Sequence, residues 1–223
     1  MFSLVIPAHN EERRITPVVR GFLEHFSDIE VIVVSNGSTD ATDLIVQRIR
    51  DPRIRLLSFP KKLGKGGAIL RGFRQAKGDI IGFSDADQAV APADFQRLIA
   101  HLRSADAAIG SRRVSGSRIM VRQPFSRRLF SKGFNLLVNL LFPLRIQDTQ
   151  CGAKVFRREA LLGILPSVAT IGFAFDVDIL WRLKKKGHSI AEVPITWKHE
   201  SGGSFRLTAM PEMLIALLKV RLS

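Results

Sequence analysis

Tyrosine is absent from this chain of 223 residues, tryptophan occurs twice and cysteine once. Without tyrosines, and with no aromatic stripe among its basic residues, the chain lacks the stacking platform that single-stranded nucleic acid requires. A lone cysteine, Cys151, excludes an internal disulfide and agrees with a reducing compartment. No histidine adjoins it to activate the thiol, so a packing role is the reading for it. The five histidines show no metal-ligand spacing. No apolar run approaches the ~20 residues that span a bilayer. Met213 to Leu222 is too short and carries Lys219 and Arg221, so it either lies on a membrane or closes the domain. The first apolar segment begins almost at Met1, which leaves no room for a signal peptide. No repeat or low-complexity linker divides the chain, and with 46% hydrophobic residues 1–223 reads as a single domain with a full core.

Four short apolar segments, Phe2 to Ile6, Glu30 to Val34, Ile54 to Phe59 and Asp79 to Phe83, alternate with stretches of helical spacing at Glu11 to Phe26, Ala41 to Arg50 and Gly67 to Gln75. Strands apolar on both faces and separated by helices predict an α/β fold with a mostly parallel central sheet. Ligands in such sheets bind at the carboxyl ends of the strands. Three of those ends are polar: His9-Asn10-Glu11-Glu12, Ser35-Asn36-Gly37-Ser38-Thr39-Asp40 and Asp85-Ala86-Asp87. Beyond Asp148 a turn is expected, then a helix near Phe175 to Lys185 and a strand from Ile190 to Trp197.

The Asp85/Asp87 pair carries the most chemistry. Residues two apart on an extended chain point the same way, so both carboxylates can reach one cation at the mouth of the sheet. Mg²⁺ takes one or two protein carboxylates and completes its shell with water and phosphate oxygens, and Mn²⁺ suits the same donors. Asp-X-Asp after a buried strand therefore points to a nucleotide diphosphate held through its metal, although aspartates also end strands because they turn the chain well. A nucleotidyltransferase would carry a glycine-rich, basic phosphate loop after the first strand, where this chain has Pro7-Ala8-His9-Asn10.

These segments resemble the inverting family 2 glycosyltransferases with a GT-A fold, a single Rossmann-like domain. Val5 to Glu12 is similar to that family's opening strand and turn, Ser35 to Asp40 to its second nucleotide-contacting turn, and Gly64-Lys65-Gly66-Gly67 to the loop before the Asp-X-Asp strand. Asp148 to Phe156, Phe175 to Leu180 and Glu192 to Trp197 resemble the branch that glycosylates polyprenyl phosphates, and Asp148-Thr149-Gln150-Cys151-Gly152 is most like dolichyl-phosphate glucosyltransferases, with dolichyl-phosphate mannose synthases close behind. The resemblance implies a nucleotide-binding half at 1–110 and an acceptor half at 111–223. It implies a nucleotide-sugar donor, UDP-glucose or GDP-mannose, and hexose transfer with inversion to a polyprenyl phosphate or, alternatively, to a glycan hydroxyl. Asp87 and Asp85 are then the metal ligands, and Pro7, His9, Glu11, Asn36, Asp40, Lys65, Ala86 and Gln88 line the donor side. Lys65 also reads as a solvated loop lysine, and Glu11 as a first-turn acid favourable to a helix dipole. Where relatives often carry two acids in the second turn, this chain has Ser35 and Asn36; Asn36 can still donate and accept.

On the acceptor side the implied residues are Arg112, Arg127, Arg128, Asp148 and Arg206, since arginine forks match phosphate oxygens. A phosphate monoester, with a second pKa of about 6, is largely dianionic at neutral pH, so a general base is less necessary than for a sugar hydroxyl. Asp178 is the candidate base if one is used; its neighbour Asp176 reads equally as a helix N-cap.

The net charge of +14 asks for a partner. Cations crowd between Arg112 and Lys132, and the chain then runs into the apolar Phe134 to Phe142. This is either a membrane-surface element, with each basic residue near an anionic surface contributing about 1 kcal/mol, or a core-facing helix with a solvated flank. The expected location is cytoplasmic, peripherally bound to the membrane face, with no nucleic acid partner.

Overall fold

The computed structural model describes residues 1–121, 125–172, 174–198 and 210–222, without the side chains of 125–130, 210 and 211. Nine strands and eight α-helices follow one another among these residues. They are β1 (Phe2–Ala8), α1 (Ile15–His25), β2 (Ile29–Asn36), α2 (Thr42–Arg48), β3 (Ile54–Phe59), α3 (Lys65–Gln75) and β4 (Ile80–Ser84), then α4 (Pro92–His101), β5 (Ala107–Ser111), β6 (Arg118–Val121), α5 (Phe125–Leu141), β7 (Ala153–Arg157), α6 (Arg158–Ile164), α7 (Phe175–Lys185), β8 (Ile190–Pro194), β9 (Thr196–Lys198) and α8 (Met210–Leu222).

Seven strands form one sheet in the order β3-β2-β1-β4-β7-β5-β8. β7 is antiparallel to both β4 and β5, and the remaining pairs are parallel. The mostly parallel sheet is as expected; its reversed strand was not. β7 and β8 come from the later half of the chain yet pair with β4 and β5, so the sheet runs unbroken across residue 110. Side chains alternate between faces as strand geometry demands: Leu4 and Ile6 join one core with α1 and α4, while Val5 joins the opposite core with α3 and α7. The helices face these cores with stripes such as Ile15, Val18, Val19, Phe22 and Leu23 of α1, the i, i+3, i+4, i+7, i+8 pattern of an amphipathic helix.

Several boundaries shift. Residues 11 to 14 are a turn in which the Glu11 carbonyl accepts from the N–H groups of Arg14 and Ile15, so α1 starts later than the periodicity suggested. The strand expected over Ile190 to Trp197 splits at Ile195, with β8 in the main sheet and β9 paired to β6 in a separate two-stranded sheet; Pro194 has no N–H to continue the ladder. The apolar stretch near Phe134 faces the core along one stripe and leaves another uncovered. Phe134, Val138 and Phe142 are buried, whereas Leu136 and Leu140 are 63% and 75% exposed. In α8, Met213, Leu217 and Val220 face inward, and Ile215, Leu218 and Leu222 face out. Among the described residues no helix is long and apolar enough to cross a membrane.

Candidate active site

The carboxyl ends of β1, β2, β4 and β5 lie along one edge of the sheet, and because β7 runs backwards its amino end lies there too. Asp85 and Asp87 follow β4 directly. Gln88 takes a left-handed backbone, φ 59°, and in this turn the Ala89 N–H donates to Asp87 Oδ1 at 3.0 Å. Burial, and next the charge of Asp85, hold the Asp87 carboxyl above its ordinary range. Burial likewise raises Glu11, against the pull of Arg14, with Asp87 and Asp40 adding to the rise. In both carboxyls burial is the first cause, and a neighbouring carboxylate adds to it. Among the described residues no three acidic, histidine or cysteine side chains cluster to cage a metal. Two carboxylates fit a Mg²⁺ or Mn²⁺ that draws the rest of its shell from water and phosphate.

Lys65, at the start of α3, is no solvated loop residue. Its Nζ lies 2.9 Å from Asp85 Oδ1 and 3.8 Å from Asp176 Oδ2. Burial disfavours its charge, but Asp85 and then Asp176 outweigh that and keep its pKa above the ordinary lysine value. Asp176 Oδ1 in turn accepts from Lys154 Nζ at 2.5 Å, and the same ammonium donates to the Cys151 carbonyl at 2.6 Å. Gly152 is the wall behind Asp85: a Cβ on it would stand 1.9 Å from Asp85 Oδ2. The sequence reading missed the parts played by Gly152, Lys154 and Asp176. One signal was there, because a lysine inside the apolar strand Ala153-Lys154-Val155-Phe156 demands a buried partner.

The expected general base is not in this group. Asp178 is fully buried; its Oδ2 accepts from Ala169 N, Thr170 N and Thr170 Oγ1, and its Oδ1 accepts from Arg182 Nε. Its carboxylate fastens the 169–170 segment to α7. Nor does Asp176 cap that helix, for it lies inside α7 after the N-cap Ala174. Spacing by two brings side chains together on a strand, whereas on a helix at 3.6 residues per turn it sets them on opposite sides.

The donor-side turns are laced together. Asn36 donates from Nδ2 to the Gly64 carbonyl at 3.3 Å and accepts from Leu63 N at 2.6 Å, so both ends of its amide hold the loop before α3. Asp40 accepts from Thr42 N, Thr42 Oγ1 and Glu12 N; despite some desolvation, these bonds keep its pKa below the ordinary range. Glu11 is bidentate to Arg14 at 2.7 and 2.9 Å. Pro7 lies in β1, Ala86 is buried between the two acids, and His9 Nδ1 is buried with no hydrogen-bond partner among the described residues.

Arg112 departs from expectation. Its fork is committed to Asp148, Nε to Oδ2 and Nη2 to Oδ1 both at 2.7 Å, with Arg112 N also donating at 2.9 Å. The guanidinium lies 5.3 Å from the Trp197 ring centroid, and Glu192 accepts from the Gln147 and Asp148 N–H groups. Arg112 and Asp148 therefore brace the end of β5 as a buried pair. Burial opposes the Asp148 charge, yet Arg112 more than offsets it and holds the carboxyl below its ordinary value. A carboxylate whose pKa is lower folded than unfolded adds stability at neutral pH that vanishes as pH falls through the folded value. Asp148→Asn should cost about 1–3 kcal/mol at pH 7, because the arginine it orphans is 18% exposed and keeps some access to water. In urea melts that deficit should shrink toward pH 3.

Next to this pair an open cleft of about 670 Å³ is lined by Arg113, Lys132, Asn135, Leu136 and Arg145. The side chains of Arg127 and Arg128, and all of Arg206, lie outside the described residues. Cys151 is buried, and burial, then Asp148, pushes its thiol up to about 12. It should resist iodoacetamide in the folded protein at pH 8, with Cys151→Ala retaining near-normal activity; rapid alkylation would contradict the packing role.

Residues 3–165 match the family model for glycosyl transferase family 2. A dolichyl-phosphate beta-glucosyltransferase of Trichomonas vaginalis is 32% identical over 98% of this chain and 70% of its own length. The dolichyl-phosphate beta-glucosyltransferase of Saccharomyces cerevisiae is 33% identical over 96% of this chain and 71% of its own length. An undecaprenyl-phosphate mannosyltransferase of Micrococcus luteus is 31% identical over 92% and 86%. Among solved structures, glucosyl-3-phosphoglycerate synthase of Mycobacterium tuberculosis, crystallised with Mn²⁺, UDP and glucosyl-3-phosphoglycerate, superposes with a TM-score of 0.71 at 22% identity, covering 99% of this chain and 79% of that one. That likeness establishes the GT-A fold. Taken with the family match over most of the chain, the sheet edge that gathers Asp85, Asp87 and Lys65 belongs to a member of glycosyl transferase family 2.

Proposed function

We propose that this protein transfers a hexose, glucose in the first instance, from a nucleotide-diphosphate sugar to a polyprenyl phosphate of the dolichyl type, with inversion to a β-linked lipid phosphate sugar. The observation that carries the reading is the Asp85/Asp87 pair beside a fixed lysine at the carboxyl edge of the sheet, with Asp87 held above its ordinary range by burial and then by Asp85. The acceptor class is supported by the relatives, which share about a third of their residues with nearly the whole chain.

Bound Mg²⁺ or Mn²⁺, held by Asp87 with Asp85, would supply stabilisation for the charge that grows on the departing diphosphate. The chain's own part begins with Lys65, whose ammonium adds a second positive charge beside the same carboxylates. Fixed charges in a dehydrated site, aimed at a developing anion, are the strongest means such an enzyme has of lowering the barrier. In a single displacement, an oxygen of the acceptor phosphate forms the new bond to the anomeric carbon while the carbon–oxygen bond to the diphosphate breaks. The electron pair leaves with the nucleotide, and no proton need be removed from a dianionic acceptor. That the buried Asp178 is wholly engaged elsewhere agrees with chemistry that needs no general base.

A lipid acceptor calls for a membrane face. The outward Leu136 and Leu140 of α5 and the outward Ile215, Leu218 and Leu222 of α8, on a chain of net charge +14, suit a peripheral seat on the anionic cytoplasmic leaflet. A second reading, transfer of mannose from GDP-mannose to the same acceptor class, is favoured by the mannosyltransferase relative. Purified protein, a short polyprenyl phosphate, Mg²⁺ and either UDP-[¹⁴C]glucose or GDP-[¹⁴C]mannose would decide. Organic-phase label from UDP-glucose is expected; label from GDP-mannose alone would select the second reading, and none from either would overturn both.

A further inference from the structure

Lys154 and Asp176 are 0% and 1% exposed, beyond the reach of solvent or substrate, yet both carry charge. In the register of the sheet Lys154 stands opposite Phe83, so its side chain leaves on the face that Phe83 occupies. The ammonium groups of Lys154 and Lys65 lie 5.2 and 5.7 Å from the centre of that one ring. Four charges then alternate from the core to the surface: Lys154 at 2.5 Å from Asp176, Asp176 at 3.8 Å from Lys65, and Lys65 at 2.9 Å from Asp85. Replacing a buried ion pair by apolar side chains of like volume is often neutral or stabilising, so stability alone gives no reason for this row.

We infer that Lys154 and Asp176 are positioning residues that divide the hold on Lys65, so that its 2.9 Å contact with Asp85 is weak enough to give way when the metal-bound donor arrives. The inference rests on the reading of Asp85 and Asp87 as the metal pair. Asp176 faces two cations. Lys154 satisfies one of its oxygens, and the other lies 3.8 Å from the Lys65 ammonium. Lys65 is thereby shared between two carboxylates at unequal distances.

The two buried charges must then act with opposite signs. With Asp176→Asn, Lys65 has only Asp85 to answer to and competes harder with the cation, so Mn²⁺ affinity falls. With Lys154→Met, the full charge of Asp176 falls on Lys65, Asp85 is loosened, and Mn²⁺ affinity rises. Both variants lose stability, because each leaves a buried charge without its partner. The double variant removes both charges, regains much of the stability and keeps the weak affinity of Asp176→Asn.

The test is Mn²⁺ titration by electron paramagnetic resonance at saturating UDP, with thermal melts of the same samples. A shift of about tenfold in each direction is expected, well within what a charge at ~4 Å exerts in a partly screened site. Equal losses in both single variants, or a double variant that regains affinity along with stability, would overturn the relay and leave a purely structural pair. If Lys154→Met does not fold, weak affinity in both Asp176→Asn and the refolded double variant is the required result, and normal affinity in either overturns the inference. Wild-type protein that binds no Mn²⁺ with UDP would instead overturn the reading of the metal pair itself.

Discussion

Asp87→Ala is expected to abolish sugar transfer, with kcat down by about a thousandfold or more, the scale on which removing one element of charge stabilisation acts, and to leave the fold intact. Among the described residues the side chain accepts one hydrogen bond, from Ala89 N, and a net bond of that kind is worth about 1 kcal/mol. Against that loss stands a gain. Because burial and Asp85 raise the pKa of Asp87 in the folded state, its ionised form is less favourable there than in the unfolded chain, and deleting the charge relieves the fold at neutral pH. Melting temperature should therefore stay within a few degrees of wild type, and transfer into the organic phase should vanish with it unmoved. Undiminished transfer would remove Asp87 from the chemistry.

The second large effect comes from a residue with no functional group. Gly152→Ala would put a methyl 1.9 Å from Asp85 Oδ2 and 2.5 Å from its Cγ, so the carboxylate must swing away and its 2.9 Å contact with Lys65 must break. Asp85 is 36% exposed at its side chain, and it can swing outward without disturbing the core. Displacement of a reacting group by about 1 Å can cost on the order of a hundredfold in rate. We expect that loss in kcat/KM for the donor, with a melting temperature near wild type. Gly163, in α6, has nothing within 4 Å of where its Cβ would stand. Gly163→Ala is the control, and should stabilise the helix by about 0.5–1 kcal/mol without touching activity.

Legibility followed how local each signal was. β1, β2 and β4 were readable because each is an apolar run ending in polar residues. The Asp-X-Asp pair was readable because its spacing is a rule of extended chain. β7 was not, since its five residues carry a lysine, and nothing in Ala153 to Arg157 states which way the strand will run. The place of Asp178 was not legible, because what fixes it is the docking of residues 169–170 on α7. The pairing of Arg112 with Asp148 was not legible because the two lie 36 residues apart, and an ion pair across that distance leaves no local mark. Asn36 was foreseen as a residue able to donate and accept, but the loop it holds, at Leu63 and Gly64, belongs to another part of the chain.

The reversed strand also sets an order of assembly. β4 and β5 do not touch each other in the sheet; the gap between them is filled by a strand that leaves the ribosome only after β6 and the whole of α5 have been made. Until then both strands show bare edges, the condition that invites pairing with another chain, and a nascent polypeptide stalled before Gly152 would have its Asp85 without a wall and its Phe83 without Lys154 beside it in the sheet. The last strand into the middle of the sheet is also the one that finishes the pocket. Long-range closure of this sort is slow, so the wall behind Asp85 and the lysine that holds Asp176 come into place late in folding.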